Sequence, residues 1–460
     1  MIVFNFDKNS PEPMYIQIFN KISKQIDFDN LTYGTKLPSQ RELAKQLGIS
    51  VNTIIHAYDM LKQHGYINSS DRSGHIVCKD SDNIKPISEV IWHTDHASVY
   101  NFSVNGVDLT MTSNFKKTLR YSMNLFIDRD FKFPYYTGDY ELRKSICSML
   151  YKTQSICCSP TQIIIGSSVE LLLDSLIRVM GHDLTYAFEN PVYYKIIDFI
   201  RLGTSKIEFV NVCENGILKE SLSELEADVL FLMPFHQFPL GVTMSFAQKS
   251  DVIGWAKEGR YIIEFGYDME FVHTNQSEPI FSISQGNNVI FMGDFKKSIS
   301  PEINVAYLVL PVSIVKLWSK KYYYYHTFTS EIEQKFVAEV IKNGSYYQNI
   351  KRLSKLYLKK QQTLISCIRE HRAGKMIRVL RCYSGTFVTI EALTDCSVET
   401  LMDVAAKAGI KFLNIAAFFK KTSEMLSKKL FILGFGGLEE KEIEEGIKLL
   451  LDSWMIAANL

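Results

Sequence analysis

The stretch LPSQRELAKQLGISVNTIIHAYDML, residues 37–61, predicts two short helices joined by a tight turn. Ser39 followed three residues later by Glu42 forms a capping-box pattern, which starts a helix by satisfying free backbone N–H groups. Gly48 is placed to end that helix, because glycine readily adopts the left-handed conformation found after helix C-termini. Ser50 can then cap the next helix. Two closely spaced helices with a defined turn are therefore the first structural expectation.

The residues on either side complete a small unit. A preceding helix is predicted where apolar residues recur every four positions: Met14, Ile18, Ile22 and Ile26. A hairpin is predicted from Tyr66–Ile67 and His75–Val77, with a polar turn between them. Such a helix pair with a two-stranded wing is the scaffold that places its second helix in the DNA major groove. The spacing leaves one alternative, a three-helix cap used for protein contacts.

Side chains outside the apolar face of these helices are candidates for DNA contact. Polar groups can meet base edges or phosphates, and cations can sit near the phosphate backbone, whereas Val51 could touch only a thymine methyl group. The predicted DNA-contacting residues are Lys36, Ser39, Arg41, Ser50, Asn52, Thr53 and His56.

The length and patterning of the chain predict two domains and a linker. A chain of 460 residues exceeds one ordinary core. We expect a small, mainly α winged helix-turn-helix domain over residues 1–78, a linker over 79–98, and an α/β domain over 99–460. Within the last, a large lobe is expected to about residue 345 and a small lobe from about 346. Strand-like runs alternate with helices, which favours parallel β-α units in a doubly wound sheet. The strand candidates are 162–165, 229–233, 261–263, 289–292 and 307–309.

Composition excludes several classes of protein. The 51 Lys and Arg balance 50 Asp and Glu, which argues against a chain that coats nucleic acid or membrane electrostatically. The N-terminus lacks the pattern of a signal peptide. Residues 229–248 carry no formal charge, but two prolines and a glycine favour a buried strand and loop over a membrane helix. The eight cysteines predict neither a disulfide framework nor a metal site. We therefore expect a cytoplasmic protein.

The N-terminal motifs resemble the DNA-binding domain of the GntR superfamily. The segments that carry this resemblance are LPSQRELA at 37–44, GISVNTI at 48–54 and AYDMLKQHGY at 57–66. The family usually has an arginine where this chain has Val51. Loss of a guanidinium facing the groove removes a contact that is worth about 1–3 kcal/mol. The resemblance therefore implies sequence-specific binding to a duplex operator, with an unusual sequence or affinity.

The remainder resembles a fold-type I aminotransferase domain. The segments that carry this resemblance are HQFPLGVTMS at 236–245, EFGYDMEF at 264–271 and GDFKK at 293–297, with weaker support from ENPVY at 189–193 and QIIIGS at 162–167. A GntR domain followed by such a domain resembles the MocR subgroup. This resemblance implies the cofactor pyridoxal phosphate, with Lys297 as its covalent attachment point, Tyr267 at the pyridine oxygen and Tyr193 on the ring face. The phosphate would lie near Ser167 and Ser168.

Five positions depart from the pattern that this resemblance implies. Phe265 stands where an aspartate faces the pyridine nitrogen, and Asn304 stands where an arginine binds the phosphate. The other departures are Asp294, Lys296 and Ser168. In an extended segment, Asp268 and Glu264 have the opposite parity to Phe265, so neither is expected to replace the missing carboxylate.

These departures predict a degenerate pyridoxal phosphate site that has lost catalysis, and they put cofactor binding in doubt. The favoured function is a transcription regulator whose large domain forms a homodimer and senses a small-molecule effector. The alternatives are an active aminotransferase that carries a DNA-binding domain, and a large domain that acts only as a dimerisation scaffold. Tyr267 and Tyr193 could also be packing residues, and His236 and Gln237 could simply close a loop.

Overall fold

The computed structural model divides the chain into two compact units, residues 1–96 and 97–460. Their division falls inside the predicted linker, 79–98, which lies outside the described residues. The structure describes residues 13–27, 31, 34–63, 66–70, 74–78, 100–103, 106–108, 110, 112–127, 136–201, 206–257, 259–271, 278–322, 329–380, 385–420 and 423–458.

The smaller unit has the predicted helices and hairpin. Its elements are α1 (Met14–Asp27), α2 (Gln40–Leu47), α3 (Val51–Gln63), β1 (Ile67–Ser70) and β2 (Gly74–Val77). The apolar faces predicted from the four-residue spacing meet in one core, in which Ile18, Ile22, Ile54, Tyr58 and Leu61 are fully buried. The two strands pair antiparallel, with Ile67 opposite Val77. A helix-turn-helix with a wing is therefore the observed architecture of this unit.

The predicted caps fix where α2 and α3 begin and end. The Ser39 Oγ accepts the Glu42 N–H at 3.3 Å, and the Glu42 carboxylate accepts the Ser39 N–H at 3.0 Å. Gly48 closes α2 with φ of 64°. The Ser50 Oγ then accepts the Thr53 N–H at 3.2 Å at the start of α3. These bonds define the start of each helix from residues that are neighbours in the sequence.

The larger unit alternates helices and strands along most of its length. Its helices are α4 (Ser113–Ile127), α5 (Tyr140–Gln154), α6 (Val169–Met180), α7 (Tyr194–Ile200), α8 (Lys219–Ser223), α9 (Phe246–Trp255), α10 (Ile280–Ile283), α11 (Val312–Tyr322), α12 (Glu331–Lys342), α13 (Ser345–Glu370), α14 (Val398–Lys407) and α15 (Glu440–Ala457). Its strands are β3 (Tyr100–Asn101), β4 (Ile163–Gly166), β5 (Tyr186–Asn190), β6 (Ile207–Cys213), β7 (Gly216–Ile217), β8 (Val229–Leu232), β9 (Tyr261–Phe265), β10 (Val289–Asp294), β11 (Ala306–Val309), β12 (Ile377–Val379), β13 (Phe387–Ala392), β14 (Ile410–Lys411), β15 (Leu413–Asn414) and β16 (Leu430–Gly434).

An eight-stranded sheet forms the centre of this unit, in the order β4-β11-β10-β9-β8-β5-β6-β7. The pairs from β10 through β9, β8 and β5 to β6 are parallel, whereas β11 runs antiparallel to both of its neighbours. All five strand candidates are confirmed. All five strands are almost wholly buried, and strands buried on both faces read as continuous apolar runs, which explains why they were visible in the sequence.

A second, smaller sheet and its own core form the C-terminal lobe. The sheet has the order β12-β13-β16-β15. The segment just after the predicted linker also packs here: β3 pairs with β14, and Phe102 is buried in this second core. Residues 100–102 were expected in the large lobe. They lie with the small lobe because a parallel pairing with a strand more than 300 residues away has no local sequence signal.

The uncharged stretch 229–248 is a strand followed by a loop, as predicted. It begins as β8, continues through a buried loop, and ends in the first turn of α9. Among the residues that the structure describes, no helix has the length and hydropathy needed to cross a membrane.

Candidate functional site

The predicted DNA-contacting side chains lie at the surface of the smaller unit. Lys36, Arg41, Asn52 and His56 are exposed, and Thr53 is half-buried. Lys36 forms a β-bridge with Ile76 of the wing, so its position is fixed by the hairpin. At the start of α3 the available polar groups are therefore the Asn52 amide, the Thr53 hydroxyl and the His56 imidazole. None of these three residues carries the fixed positive charge of a lysine or arginine.

Three of the predicted DNA-contacting residues, Ser39, Ser50 and Thr53, already form hydrogen bonds within the unit. The Ser39 Oγ donates to the Glu42 carboxylate at 2.9 Å while it accepts the Glu42 N–H. The Ser50 and Thr53 hydroxyls bond to each other at 2.7 Å. Ser39 and Ser50 therefore have a capping role, and Val51, 39% exposed, is the apolar side chain that projects from the first turn of α3.

In the larger unit, Lys297 lies beside a buried carboxylate. Its Nζ donates to Asp268 Oδ1 at 2.5 Å and to Thr386 Oγ1 at 3.4 Å. The same ammonium lies 3.8 Å from the centroid of the Tyr267 ring, a cation–π contact. Lys297 and Tyr267, which the sequence predicted to act together, are thus brought together.

His236 binds the second oxygen of the same carboxylate. Its Nδ1 is 2.9 Å from Asp268 Oδ2, and because an ionised carboxylate only accepts, Nδ1 donates. Burial alone would raise the pKa of Asp268, but the charge of Lys297 and the His236 bond outweigh it and lower the pKa to about 2. Burial lowers the pKa of His236, opposed by Asp268. The site therefore contains a carboxylate, an ammonium and a neutral imidazole.

The prediction that Asp268 points away from the site is wrong. Alternation of side chains holds only in an extended chain, but β9 ends at Phe265, and Asp268 has a φ of 57° in the turn that follows. That left-handed residue turns the carboxylate back toward Lys297. Glu264 lies within the strand and, as predicted, points away from Lys297. Its carboxylate accepts hydrogen bonds from the backbone N–H groups of Ile280 and Phe281 in α10, each at 2.8 Å.

A cluster of aromatic rings connects the remaining predicted site residues. Tyr193 packs edge-to-face on Phe238, and Phe238 in turn contacts Tyr267 and Phe387. His236 stacks on Phe387 with ring centroids 4.2 Å apart. Tyr193 is therefore joined to Tyr267 through one intervening ring. The side chain of Gln237 does close the 237–240 loop, because its amide donates to Phe238 O at 2.8 Å and accepts from Leu240 N–H at 3.1 Å.

Gly385 allows this cluster to be so compact. Its φ is 85°, a conformation that favours glycine. A Cβ at this position would overlap the His236 ring and lie 2.7 Å from Asp268 Oδ2. The strand that carries Phe387 can approach His236 and Asp268 only because this residue has no side chain.

The end of the site predicted to hold a phosphate contains two acidic residues, Asp294 and Glu170. Ser167 follows β4, and the Ser168 Oγ caps α6 by accepting the Leu171 N–H at 3.2 Å. Burial raises the pKa of Asp294, the Lys296 N–H and nearby ammonium groups lower it, and Glu170 in the first turn of α6 raises it again.

Asn304, at the position where the resemblance implies a phosphate-binding arginine, is exposed. Its backbone N–H donates to Glu333 Oε1 at 3.1 Å, and its side-chain amide donates to Glu302 O at 3.2 Å. Its neighbours are thus an acidic side chain and a carbonyl, where the resemblance implies an arginine. Phe265 is buried between the Phe231 and Tyr267 rings.

Sequence reasoning missed two members of the site, Asp268 and Thr386. The repeated acidic residues of EFGYDMEF were visible, but the positive φ that selects Asp268 was not. Thr386 lies far away in sequence and had no motif.

The amino-acid sequence is similar to a family of bacterial regulators and to individual regulators over their full length. Residues 14–77 match the model of the family described as "Bacterial regulatory proteins, gntR family". The uncharacterized HTH-type transcriptional regulator YdeL of Bacillus subtilis is 30% identical over 456 residues, which cover 96% of this chain and 97% of YdeL. The probable rhizopine catabolism regulatory protein MocR of Rhizobium meliloti is 22% identical over 98% of this chain and 95% of its own length.

Solved structures show the fold of the larger unit. A multiple substrate aminotransferase from Thermococcus profundus superimposes with a TM-score of 0.69 at 18% identity, covering 82% of this chain and 95% of that one. An archaeal alanine:glyoxylate aminotransferase gives 0.67 at 20% identity, covering 77% and 90%. The helix-turn-helix, the aminotransferase-like α/β unit and the full-length similarity to YdeL agree. The chain belongs to the GntR family of bacterial transcriptional regulators, in the MocR-type group that joins a winged helix-turn-helix to an aminotransferase-like domain.

Proposed function

We propose that this regulator reads duplex DNA through α2, α3 and the wing, and that residues 97–460 form a homodimer that senses a small molecule near Lys297. The observation that carries the proposal is the Lys297–Asp268–His236 cluster, in which a partly exposed lysine meets a fully buried carboxylate and imidazole, together with the lack of a carboxylate at position 265. The regulator would act in the cytoplasm, where its DNA is.

The exposed start of α3 supports the DNA-reading part. Asn52 and His56 offer donors and acceptors for base edges, and Arg41 at the start of α2 offers a cation for a phosphate. Both helices are held by caps and by the Tyr58 hydroxyl, which donates to Pro38 O at 2.9 Å. A rigid support of this kind keeps side chains in register with the groove.

Arg41→Ala combined with Thr53→Ala is expected to weaken operator binding by at least about tenfold, because a phosphate contact and a groove-facing hydroxyl are both lost. The measurement is a gel shift with a duplex that the parent protein selects from a random-sequence pool. Thr53→Ser keeps the bond to Ser50 and serves as the matched control, and Lys441→Ala, on α15 of the other unit, should change nothing. If the double variant binds as tightly as the parent, this docking mode is wrong.

Val51→Arg is expected to raise affinity for DNA and to steepen its dependence on salt. Val51 is exposed in the first turn of α3, so an added cation there would neutralise one more phosphate or bind a guanine. The slope of log K against log salt should become more negative by about 0.9 for one new phosphate contact. Val51→Gln controls for side-chain length. An unchanged slope and affinity for Val51→Arg would place position 51 away from DNA.

The residues of the candidate site fit pyridoxal phosphate poorly. Lys297 contacts Tyr267, and Tyr193 is joined to Tyr267 through Phe238, which supports a cofactor-like pocket. Phe265, however, cannot stabilise a protonated ring nitrogen, and Asn304 cannot neutralise a phosphate. Asp294 and Glu170 would also repel the phosphate at the start of α6. These contacts support a site that binds the cofactor weakly or not at all and that has lost transamination.

A working aminotransferase with a DNA-binding domain remains the second candidate, and one observation favours it. Asp268 does lie against Lys297, so a carboxylate is present in the site although not at position 265. Both of its oxygens are occupied by Lys297 and His236. That engagement is our reason for ranking the sensor above the enzyme.

We expect light scattering at micromolar concentration to return about twice the 52.8 kDa chain mass. In its last two turns α4 exposes four large apolar side chains: Tyr121, Met123, Leu125 and Ile127. Exposed apolar clusters are typical of surfaces that another chain covers. Met123→Glu with Ile127→Glu should shift the mass toward that of one chain, whereas Lys441→Glu, on an exposed polar face, should not. A monomeric parent would contradict the proposed homodimer.

A further inference from the structure

Two cysteines of the larger unit are in direct contact. Cys147 lies on the third turn of α5, and Cys158 lies in the segment between α5 and β4. Their sulfur atoms are 3.6 Å apart, with the Cys158 thiol donating to the Cys147 sulfur. This is close to the sulfur–sulfur contact distance, so small side-chain rotations bring them to bonding distance.

The surroundings of Cys147 favour its thiolate form. The Cys158 thiol bonds to it, and Arg143 lies one turn earlier on α5; together these lower the pKa of Cys147 although burial opposes them. Arg143 is fixed, because its guanidinium donates to Gly138 O at 3.2 Å and to Pro160 O at 2.6 Å. A thiolate beside a fixed cation is the reactive form of cysteine.

Both cysteines are partly exposed to solvent. Cys147 and Cys158 are half-buried, and Cys157, next to Cys158 in the chain, is exposed. A molecule as small as hydrogen peroxide can approach a half-buried thiol, whereas a bulky protein disulfide cannot.

We propose that Cys147 and Cys158 form a dithiol that closes to a disulfide when the protein meets hydrogen peroxide. The Cys147 thiolate attacks one peroxide oxygen, the O–O bond breaks, and the departing hydroxide takes a proton to become water. The resulting sulfenic acid is attacked by the Cys158 sulfur. The S–S bond forms as the S–O bond breaks, and a second water leaves with the Cys158 proton. One peroxide is reduced to two waters, and two thiols are oxidised.

The bond would tie α5 to the chain that enters the central sheet. Cys158 is followed by a single 3-10 turn, Pro160–Gln162, and then by β4, which leads directly to Ser167 and Ser168. Arg143 already connects α5 to Pro160 by a hydrogen bond, so the disulfide reinforces an existing contact instead of requiring a new fold. Reversible disulfides of this kind are compatible with a reducing compartment.

The test uses the full-length parent protein and hydrogen peroxide. After treatment, the chain is denatured and alkylated with iodoacetamide; the eight cysteines should accept six labels instead of eight. Trypsin cuts after Lys152, so residues 145–152 and 153–178 carry Cys147 and the Cys157–Cys158 pair on separate peptides. Mass spectrometry should find these peptides joined, and dithiothreitol should restore eight labels.

Single-cysteine variants test which cysteine forms the disulfide with Cys147. Cys157→Ser should leave the joined peptide unchanged, whereas Cys158→Ser should reduce its yield by more than about tenfold, because Cys147 loses the thiol that its sulfur contacts. Cys367→Ser, a half-buried cysteine on α13, is the matched control and should have no effect. The proposal would be overturned if the peroxide-treated parent still accepted eight labels or carried sulfinic acid at Cys147. It would also be overturned if the disulfide joined Cys157 to Cys158 or to Cys147 instead.

Discussion

Asp268→Asn is expected to lower the free energy of unfolding of the larger unit by about 2–4 kcal/mol at neutral pH, because it removes one partner of a buried ion pair. The carboxylate is fully buried and accepts from both Lys297 and His236. Its pKa of about 2 lies below the ordinary 3.8, a difference that corresponds to about 2 kcal/mol. Since the folded pKa is the lower one, this stabilisation is complete above pH 4 or so and is lost as pH falls toward about 2.

The measurement is denaturant unfolding followed by tryptophan fluorescence. Trp255, Trp318 and Trp454 lie in the larger unit, so the signal reports mainly that unit. Lys297→Met and the Asp268→Asn/Lys297→Met double variant complete a thermodynamic cycle that isolates the pair. A coupling energy near zero, with additive single effects, would show that the two groups do not stabilise each other.

Phe265→Asp combined with Asn304→Arg is expected to strengthen pyridoxal phosphate binding by at least about a hundredfold, since each change adds a charge-assisted bond worth about 1.5–3 kcal/mol. The parent protein should bind the cofactor weakly or not at all and should show no transamination with common amino acids. Binding is followed by titration of the visible absorbance band that appears when the cofactor is held through a lysine. Borohydride should remove the band, and Lys297→Ala should abolish it.

The neighbours of position 304 require a control. Glu333 accepts the Asn304 N–H, so a new arginine could pair with it instead of reaching the phosphate. Glu333→Gln added to the double variant removes that competitor. Asn304→Arg alone measures how much the phosphate contact contributes to cofactor affinity, apart from the contact to the ring nitrogen. If the parent protein purifies yellow with a tight, borohydride-sensitive band, then Lys296 or another group has replaced the lost contacts, and weak binding is wrong.

The elements that the sequence predicted are those with local signals. The capping box at Ser39, the left-handed Gly48 and the apolar runs of the central strands each depend on residues a few positions apart. The same holds for Lys297 and Tyr267, which were placed by motif and meet in the structure.

What the sequence could not predict depends on backbone angles and on distant segments. Asp268 was placed on the wrong face because one positive φ reverses the side chain's direction. Thr386 and Gly385 reach Lys297 and His236 from a strand about 90–150 residues away. Lys360 of α13 gives a further example, because its side chain is buried and its Nζ donates to Gly436 O, 76 residues away, at 2.9 Å. Arg352 of the same helix pairs with Asp108, which is equally distant from any local pattern.

For the small-molecule effector proposed above, the Lys297–Asp268 salt bridge would set a concentration threshold. A carbonyl compound that reacts with the Lys297 amine must first deprive Asp268 of its ammonium partner, and the free energy of that separation is subtracted from the free energy of binding. Each 1.4 kcal/mol so subtracted moves the half-saturating concentration about tenfold higher. Low background levels of reactive aldehydes would therefore leave the regulator in its unliganded state, and only a sustained rise in the effector would change its output. Substitutions at Asp268 that weaken the bridge without unfolding the chain would tune the dose at which transcription responds.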